Sequence, residues 1–251
     1  MKTLKTILIG AVALLSASIS AMAQETTSTT SNKIGITVGA DIVSSYIWRG
    51  VYFAGASFQP AVNLTYGGLT AGFWGSSDFV DGNYKEVDAS IFYTISGFKA
   101  GITNYWWSGK NQPYIAKDSV GKSGHYLEGT LGYSISNISL VANTFFWGDR
   151  DKNAKRDQMF STYIEASYVA TVGDITFTPA VGVSPWESNS NIGYHLNPSN
   201  SVNETGFKVC NVSLKASKSL KFSETVSIPV FGQVIYSNAA DQIHFVLGVT
   251  L

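Results

Sequence analysis

Glu86 and Asp88 stand two positions apart, a spacing that sets both carboxylates on one face of an extended strand. Carboxylates gathered around a confined passage favour cations, as acidic rings do in channels. Asp41, Glu128 and Glu165 add acids and Arg49, Lys99, Lys215 and His244 add bases, all on the polar face of alternating segments. His244 raises a second chemistry. If the last segment pairs with the first, His244 approaches Asp41 and Ser45, and Ser, His and Asp on one face are the parts of a hydrolase. His125 lies at a strand end with outward parity, and His195 lies in a connection. The chain carries no P-loop, no Cys or His cluster at zinc spacing and no Asp-rich calcium loop, so neither a cofactor nor a metal is expected. Asn-x-Ser/Thr triplets at Asn63, Asn137, Asn203 and Asn211 read as chance matches.

The elements that must position these groups are strands. Apolar residues recur with period two almost everywhere after residue 33, and a period of 3.6 is nowhere sustained. About twelve segments follow, over 34–48, 57–66, 69–78, 86–96, 98–107, 125–135, 138–148, 158–170, 175–186, 206–217, 225–237 and 242–251. Each is close to the roughly 9 to 11 residues of a tilted strand that crosses a bilayer. In the fourth, Val87, Ala89, Ile91, Tyr93 and Ile95 alternate with Glu86, Asp88, Ser90, Thr94 and Ser96, one face suited to lipid and the other to water. Connections alternate between short turns, such as Gly67-Gly68 and Ser136-Asn137, and mostly longer loops, such as 108–124 and 187–205. The pattern predicts a closed antiparallel transmembrane β-barrel over 34–251, with short turns and both termini on the periplasmic side.

Lys2 and Lys5, an apolar run from Ile7 to Leu15 and Ala21-Met22-Ala23 read as a signal peptide over 1–23, with cleavage before Gln24. A Ser- and Thr-rich flexible periplasmic lead follows over 24–33. The single Cys210 excludes an internal disulfide. Cleavage removes two of the 17 basic side chains and none of the 17 acidic ones, and a charge so near balance argues against a nucleic-acid partner. Only 14% of the chain is charged, less than a water-facing β-sandwich usually carries.

Aromatic residues concentrate where hydrocarbon meets headgroups. Trp48, Trp74, Trp106, Trp107, Trp147 and Trp186 all fall near the ends of strands that meet the long loops, and are expected to form an outer girdle. Tyr66, Phe98, Tyr133, Tyr168 and Phe177 fall near the other ends, as an inner girdle. The loop from Asp149 to Asp157, with its alternating charges, reads as solvated.

Ser45-Tyr46-Ile47-Trp48-Arg49-Gly50 resembles the aromatic-Arg-Gly segment at the first strand end of the outer-membrane porin family labelled TorF. Gln59-Pro60-Ala61-Val62, Gly72-Phe73-Trp74-Gly75-Ser76 and Glu86-Val87-Asp88 are similar to that family's next blocks, in the same order. The resemblance spans residues 44 to about 107, with a weaker echo at Tyr126-Leu127-Glu128. It implies a porin and names no substrate.

Eight strands leave a lumen that side chains fill, whereas 16 to 18 leave an aqueous channel; twelve predicts a narrow passage or a plugged one. Asp41, Arg49, Glu86, Asp88, Lys99, Glu128, Glu165, Lys215 and His244 are the expected pore lining, with Glu86, Asp88, Glu128 and Arg49 toward the outer mouth and Lys99 and Lys215 toward the periplasm. The expected function is passive diffusion of small polar or cationic solutes. The expected partners are outer-membrane lipid, the barrel-assembly machinery and those solutes. The competing readings are a non-conducting structural or adhesin barrel and, more remotely, an outer-membrane hydrolase or acyltransferase.

Overall fold

A computed structural model describes residues 33–80, 84–108, 113–115, 117, 123–149, 151–153, 155–186, 188, 206–224, 226–238 and 240–251. The signal peptide expected over 1–23, the lead expected over 24–33 except its last residue, His195 and nearly all of the loop 187–205 lie outside them.

Alternation of apolar and polar side chains becomes alternation of exposure. In the strand Lys85–Ile95 (β6), Ile91, Tyr93 and Ile95 are exposed, while Glu86 and Asp88 are buried on the other face. The same division runs through Gly35–Val43 (β1), Ser57–Tyr66 (β4), Leu69–Asp78 (β5), Phe98–Ser108 (β7), His125–Ile135 (β8) and Ile138–Gly148 (β9). It continues in Thr162–Tyr168 (β10), Ile175–Ser184 (β12), Lys208–Lys221 (β13), Ser227–Ser237 (β14) and Gln242–Thr250 (β15), while the short Ala170–Val172 (β11) has no buried residue. Each strand pairs antiparallel with its neighbours, and β10 and β11 form one wall element interrupted at Val169. Pairing of β1 with β15 closes a barrel of twelve strands, and the described residues contain no helix.

The short turns follow backbone chemistry. Ile95 pairs with Phe98, and the two residues between them, Ser96 and Gly97, have φ of 48° and 84°. Two successive left-handed residues match the right-handed twist of the flanking strands, which is why such turns dominate two-residue hairpins.

The first strand is shorter than the pattern predicts. It was expected to run to Trp48, and it leaves the wall after Val43. At the closure, Ala40 and Leu251 exchange backbone hydrogen bonds of 3.3 and 2.8 Å, and Ser44 N donates to Leu247 O at 2.8 Å. Beyond Ser44 the chain turns inward and forms a hairpin of Tyr46–Trp48 (β2) and Val51–Ala54 (β3). Two other expectations also change. β13 continues to Lys221, where Lys218 Nζ reaches Asp174 Oδ2 of the neighbouring turn at 2.8 Å. The solvated loop expected over 149–157 has a fully buried acid, Asp151, whose carboxylate accepts hydrogen bonds from Ser161 Oγ and Gln158 Nε2.

Candidate functional site

The β2–β3 hairpin stands inside the barrel and reaches across it. Trp48 pairs with Val51, so Arg49 and Gly50 make the two-residue turn, with φ of 52° and 86°. A Cβ added to Gly50 would sit 2.8 Å from Asn211 Cβ on β13, so the turn can approach the far wall only because this residue has no side chain. On one face of the hairpin, Tyr46 packs against Trp74 and Tyr84, with ring centroids at 5.6 and 5.9 Å. In the same cluster, Trp48 meets Tyr105, Trp107 and Phe145 at 5.8, 5.6 and 6.4 Å. Edge-to-face aromatic pairs of this kind each add roughly 0.5–1.5 kcal/mol beyond the area they bury.

Arg49 carries the polar half of that anchorage. Its Nη1 and Nη2 donate to Glu128 Oε1 and Oε2 at 2.6 and 2.9 Å, and both side chains are almost wholly buried. The guanidinium lies 4.3 Å from the Trp48 ring centroid and 4.8 Å from that of Tyr163. Tyr105 donates its hydroxyl proton to Glu128 Oε2 at 2.8 Å. The planar fork of arginine matches a carboxylate bidentately and stacks on aromatic faces, and it stays charged when buried. Arginine at a left-handed turn position is uncommon, because its Cβ crowds the following carbonyl at a cost of roughly 1–2 kcal/mol. Asparagine or glycine would turn there with less strain, so the side chain at position 49 is held by its contacts with Glu128, Trp48 and Tyr163 rather than by the backbone.

The other acids on this face are buried too. Glu86 accepts a hydrogen bond from Tyr84 at 2.6 Å, and the Tyr163 hydroxyl lies 2.7 Å from Glu165 Oε2 and 3.0 Å from Asn211 Oδ1. Glu86 Oε1, Asp88 Oδ1 and the indole nitrogens of Trp74 and Trp107 have no hydrogen-bond partner among the described residues. Glu128, Asn143, Phe145 and Tyr163 are completely inaccessible. The described side chains in the long-loop half of the lumen are therefore closely packed.

The short-turn half differs in character. Thr37, Thr65, Thr94, Ser134, Thr176 and Ser217 face inward there and are only half-buried. Lys99 Nζ lies 3.9 Å from the Phe92 ring centroid, and Lys215 Nζ lies 4.0 Å from that of Phe231. Asp41 accepts a hydrogen bond from Thr250 Oγ1 at 2.6 Å. At the long-loop end of β15, six residues from Thr250, His244 stacks on Tyr52 of the hairpin at 6.5 Å. The register thus keeps His244 away from Asp41, and the Ser45, His244 and Asp41 arrangement is not assembled.

The tryptophan girdle needs correcting. Trp106, Trp147 and Trp186 are outward or exposed, with Trp106 Nε1 donating to Pro113 O at 3.3 Å. Trp48, Trp74 and Trp107 instead belong to the interior cluster. Trp74 shares the face of Ser76 and Asp78, Trp107 shares that of Tyr105 and Thr103, and Trp48 is carried inward by the hairpin. Height along a strand does not determine which face a residue occupies. Of the second set, Tyr66, Phe98, Tyr133 and Tyr168 are exposed on the outside. His125 faces outward, its Nε2 2.7 Å from Tyr114 O.

Tyr105, Tyr163 and Asn211 complete the Arg49 site; the tyrosines were not singled out from the sequence, and Asn211 was named only as a chance Asn-x-Ser triplet. Parity could have found the tyrosines, since Tyr163 shares a face with Glu165 and Tyr105 with Thr103. No protein-family model and no curated protein matches the chain.

Proposed function

We propose that this chain is an outer-membrane β-barrel acting as a narrow porin for small polar solutes, with the β2–β3 hairpin as its closed gate. The carrying observation is a closed barrel that is apolar outside and polar within. Ile36, Val38, Phe73, Ile91, Leu131, Leu140, Phe245 and Leu247 are exposed on outward positions, while the inward positions hold hydroxyls, amides and charges around the aromatic cluster of the hairpin. A water-soluble barrel would gain nothing from such an outer surface, and a lipid-facing one requires it. The long loops then lie outside the cell and the short turns and both termini in the periplasm. The TorF-like segment from Ser45 to Gly50 forms the gate hairpin, which fits a porin reading.

A non-conducting structural barrel is the competing reading, favoured by the same hairpin across the lumen. Purified protein in planar bilayers separates the two. The porin reading requires stepwise current from the wild type or from a variant with residues 46–54 replaced by a short Gly-Ser linker. Silence from both, in protein that migrates as a folded heat-modifiable barrel, would leave the structural reading.

A further inference from the structure

The Arg49 side chain occupies a site with the features of a ligand pocket. A carboxylate receives the guanidinium edge in parallel hydrogen bonds at 2.6 and 2.9 Å, Tyr163 covers one aromatic approach at 4.8 Å, and Tyr105 fixes the carboxylate from behind at 2.8 Å. Those three groups belong to β8, β10 and β7, so they are part of the barrel wall and do not depend on the hairpin. Only Trp48 travels with Arg49. Beside them on β6, Glu86 and Asp88 each present a buried carboxylate oxygen with no hydrogen-bond partner among the described residues.

We infer that the barrel wall around Glu128 is a binding site for guanidinium-bearing solutes, filled in the closed state by the chain's own Arg49, and that such solutes open the gate by displacing it. The opening step rests on the porin reading; the binding step does not. The fork of paired hydrogen bonds and the facing ring select a planar guanidinium over an ammonium, which offers neither a flat face nor two parallel donors. Arg49 competes as a tethered ligand at high effective concentration, so it must be weakly held for a solute to replace it. The left-handed backbone at Arg49 offsets part of that hold, since the strain is relieved when the hairpin leaves. Once vacated, the site lies between the outer acids Glu86 and Asp88 and the hydroxyl-lined inner half, on the path a cation would take.

Chemical rescue tests the binding step without requiring current. Arg49→Ala, purified in detergent, is heated with methylguanidinium or methylammonium at matched low-millimolar concentration and ionic strength. Methylguanidinium near ten times its dissociation constant should raise the melting temperature by about 3 °C, and methylammonium should not. The shift should vanish in Arg49→Ala combined with Glu128→Gln. If Arg49→Ala does not fold alone, methylguanidinium during refolding should restore the heat-modifiable form, again only when Glu128 is present. Absence of rescue, or equal rescue by both cations, overturns the site. For the opening step, methylguanidinium should increase open events in wild-type bilayers and leave Glu128→Gln unaffected. Rescue without current from any variant, including the linker replacement, would retain the site and defeat the porin reading. Current from the linker variant without rescue of Arg49→Ala would do the reverse.

Discussion

Arg49 and Glu128 lie 79 residues apart in sequence and form a bidentate ion pair in the middle of the barrel, at 2.6 and 2.9 Å. The pair joins the one part of the wall that turns inward to the strand opposite, and it is inaccessible to water. Removing one partner strands a buried charge, which typically costs about 3–5 kcal/mol, whereas removing both leaves a smaller deficit. Arg49→Leu and Glu128→Leu should each lower the urea midpoint of the detergent-folded barrel substantially. The double variant should lose less than the two single losses combined, with a coupling of roughly 2 kcal/mol or more. Additive losses would mean that the side chains act independently, contrary to the geometry.

The interior packs aromatic rings over glycines on neighbouring strands, and this arrangement makes a second prediction. A Cβ on Gly101 would lie 2.2 Å from Phe92 Cδ1 and 2.3 Å from Ile91 O, so the backbone itself would have to move. A Cβ on Gly232 meets only Leu247 Cδ2, at 3.5 Å, which is ordinary contact. Gly101→Ala should therefore cut the yield of folded, heat-modifiable protein, and Gly232→Ala should leave it close to wild type. Overpacking typically costs about 1–3 kcal/mol. Equal yields would show that the wall at Phe92 relaxes more easily than its packing implies.

Period-two alternation made the strands legible, because a half-buried strand has one apolar face whatever else surrounds it. Thus β4, β5, β8 and β9 lie where the pattern predicts. The hairpin was hidden by the same signal, since Tyr46, Ile47 and Trp48 follow the apolar end of β1 after only Ser44 and Ser45, with no Gly or Pro to mark a turn. Its mark was the two-residue Arg49-Gly50 turn between Tyr46-Ile47-Trp48 and Val51-Tyr52-Phe53, a hairpin signature read as a strand end followed by a loop. Trp74 and Trp107 were misplaced for a different reason. Aromatic residues near a strand end suit a headgroup girdle or an interior cluster equally well, and only the face separates the two. The partnership of Glu128 with Arg49 depends on tertiary geometry that no local pattern encodes.

Orientation provides a third prediction, tested by cysteine labelling on intact cells in a Cys210→Ser background. Lys155, exposed in the loop between β9 and β10, should react as Lys155→Cys with a membrane-impermeant maleimide. Glu224, exposed in the turn between β13 and β14, should not react as Glu224→Cys until the outer membrane is permeabilised. Gly97 is a poor inner probe, because any Cβ there would sit 2.4 Å from Ser134 O. Labelling of Glu224→Cys alone would invert the topology, and labelling of both on intact cells would argue against a membrane barrier between the two ends.

The last prediction concerns the field inside an open lumen. With the hairpin closed, Glu86, Asp88 and Glu128 are buried beneath it and cannot act on passing ions. Replacing residues 46–54 by a short Gly-Ser linker removes Arg49 and uncovers these acids together with Glu165, while Lys99 and Lys215 remain in the inner half. Val43 pairs with Ser57, so a short linker can join Ser45 to Gly55 without disturbing the wall. Four uncovered carboxylates against two lysines predict a cation-preferring pore, most visible at low salt where screening is weak. In that background, Glu86→Gln with Asp88→Asn should shift the reversal potential in a KCl gradient toward chloride, nearly preserving side-chain volume. Lys99→Gln with Lys215→Gln should shift it the other way, because those two cations face the inner half of the lumen. Reversal potentials that stay fixed in both double variants, with conductance intact, would mean that ions bypass these side chains and that the charged lumen serves to stabilise the barrel.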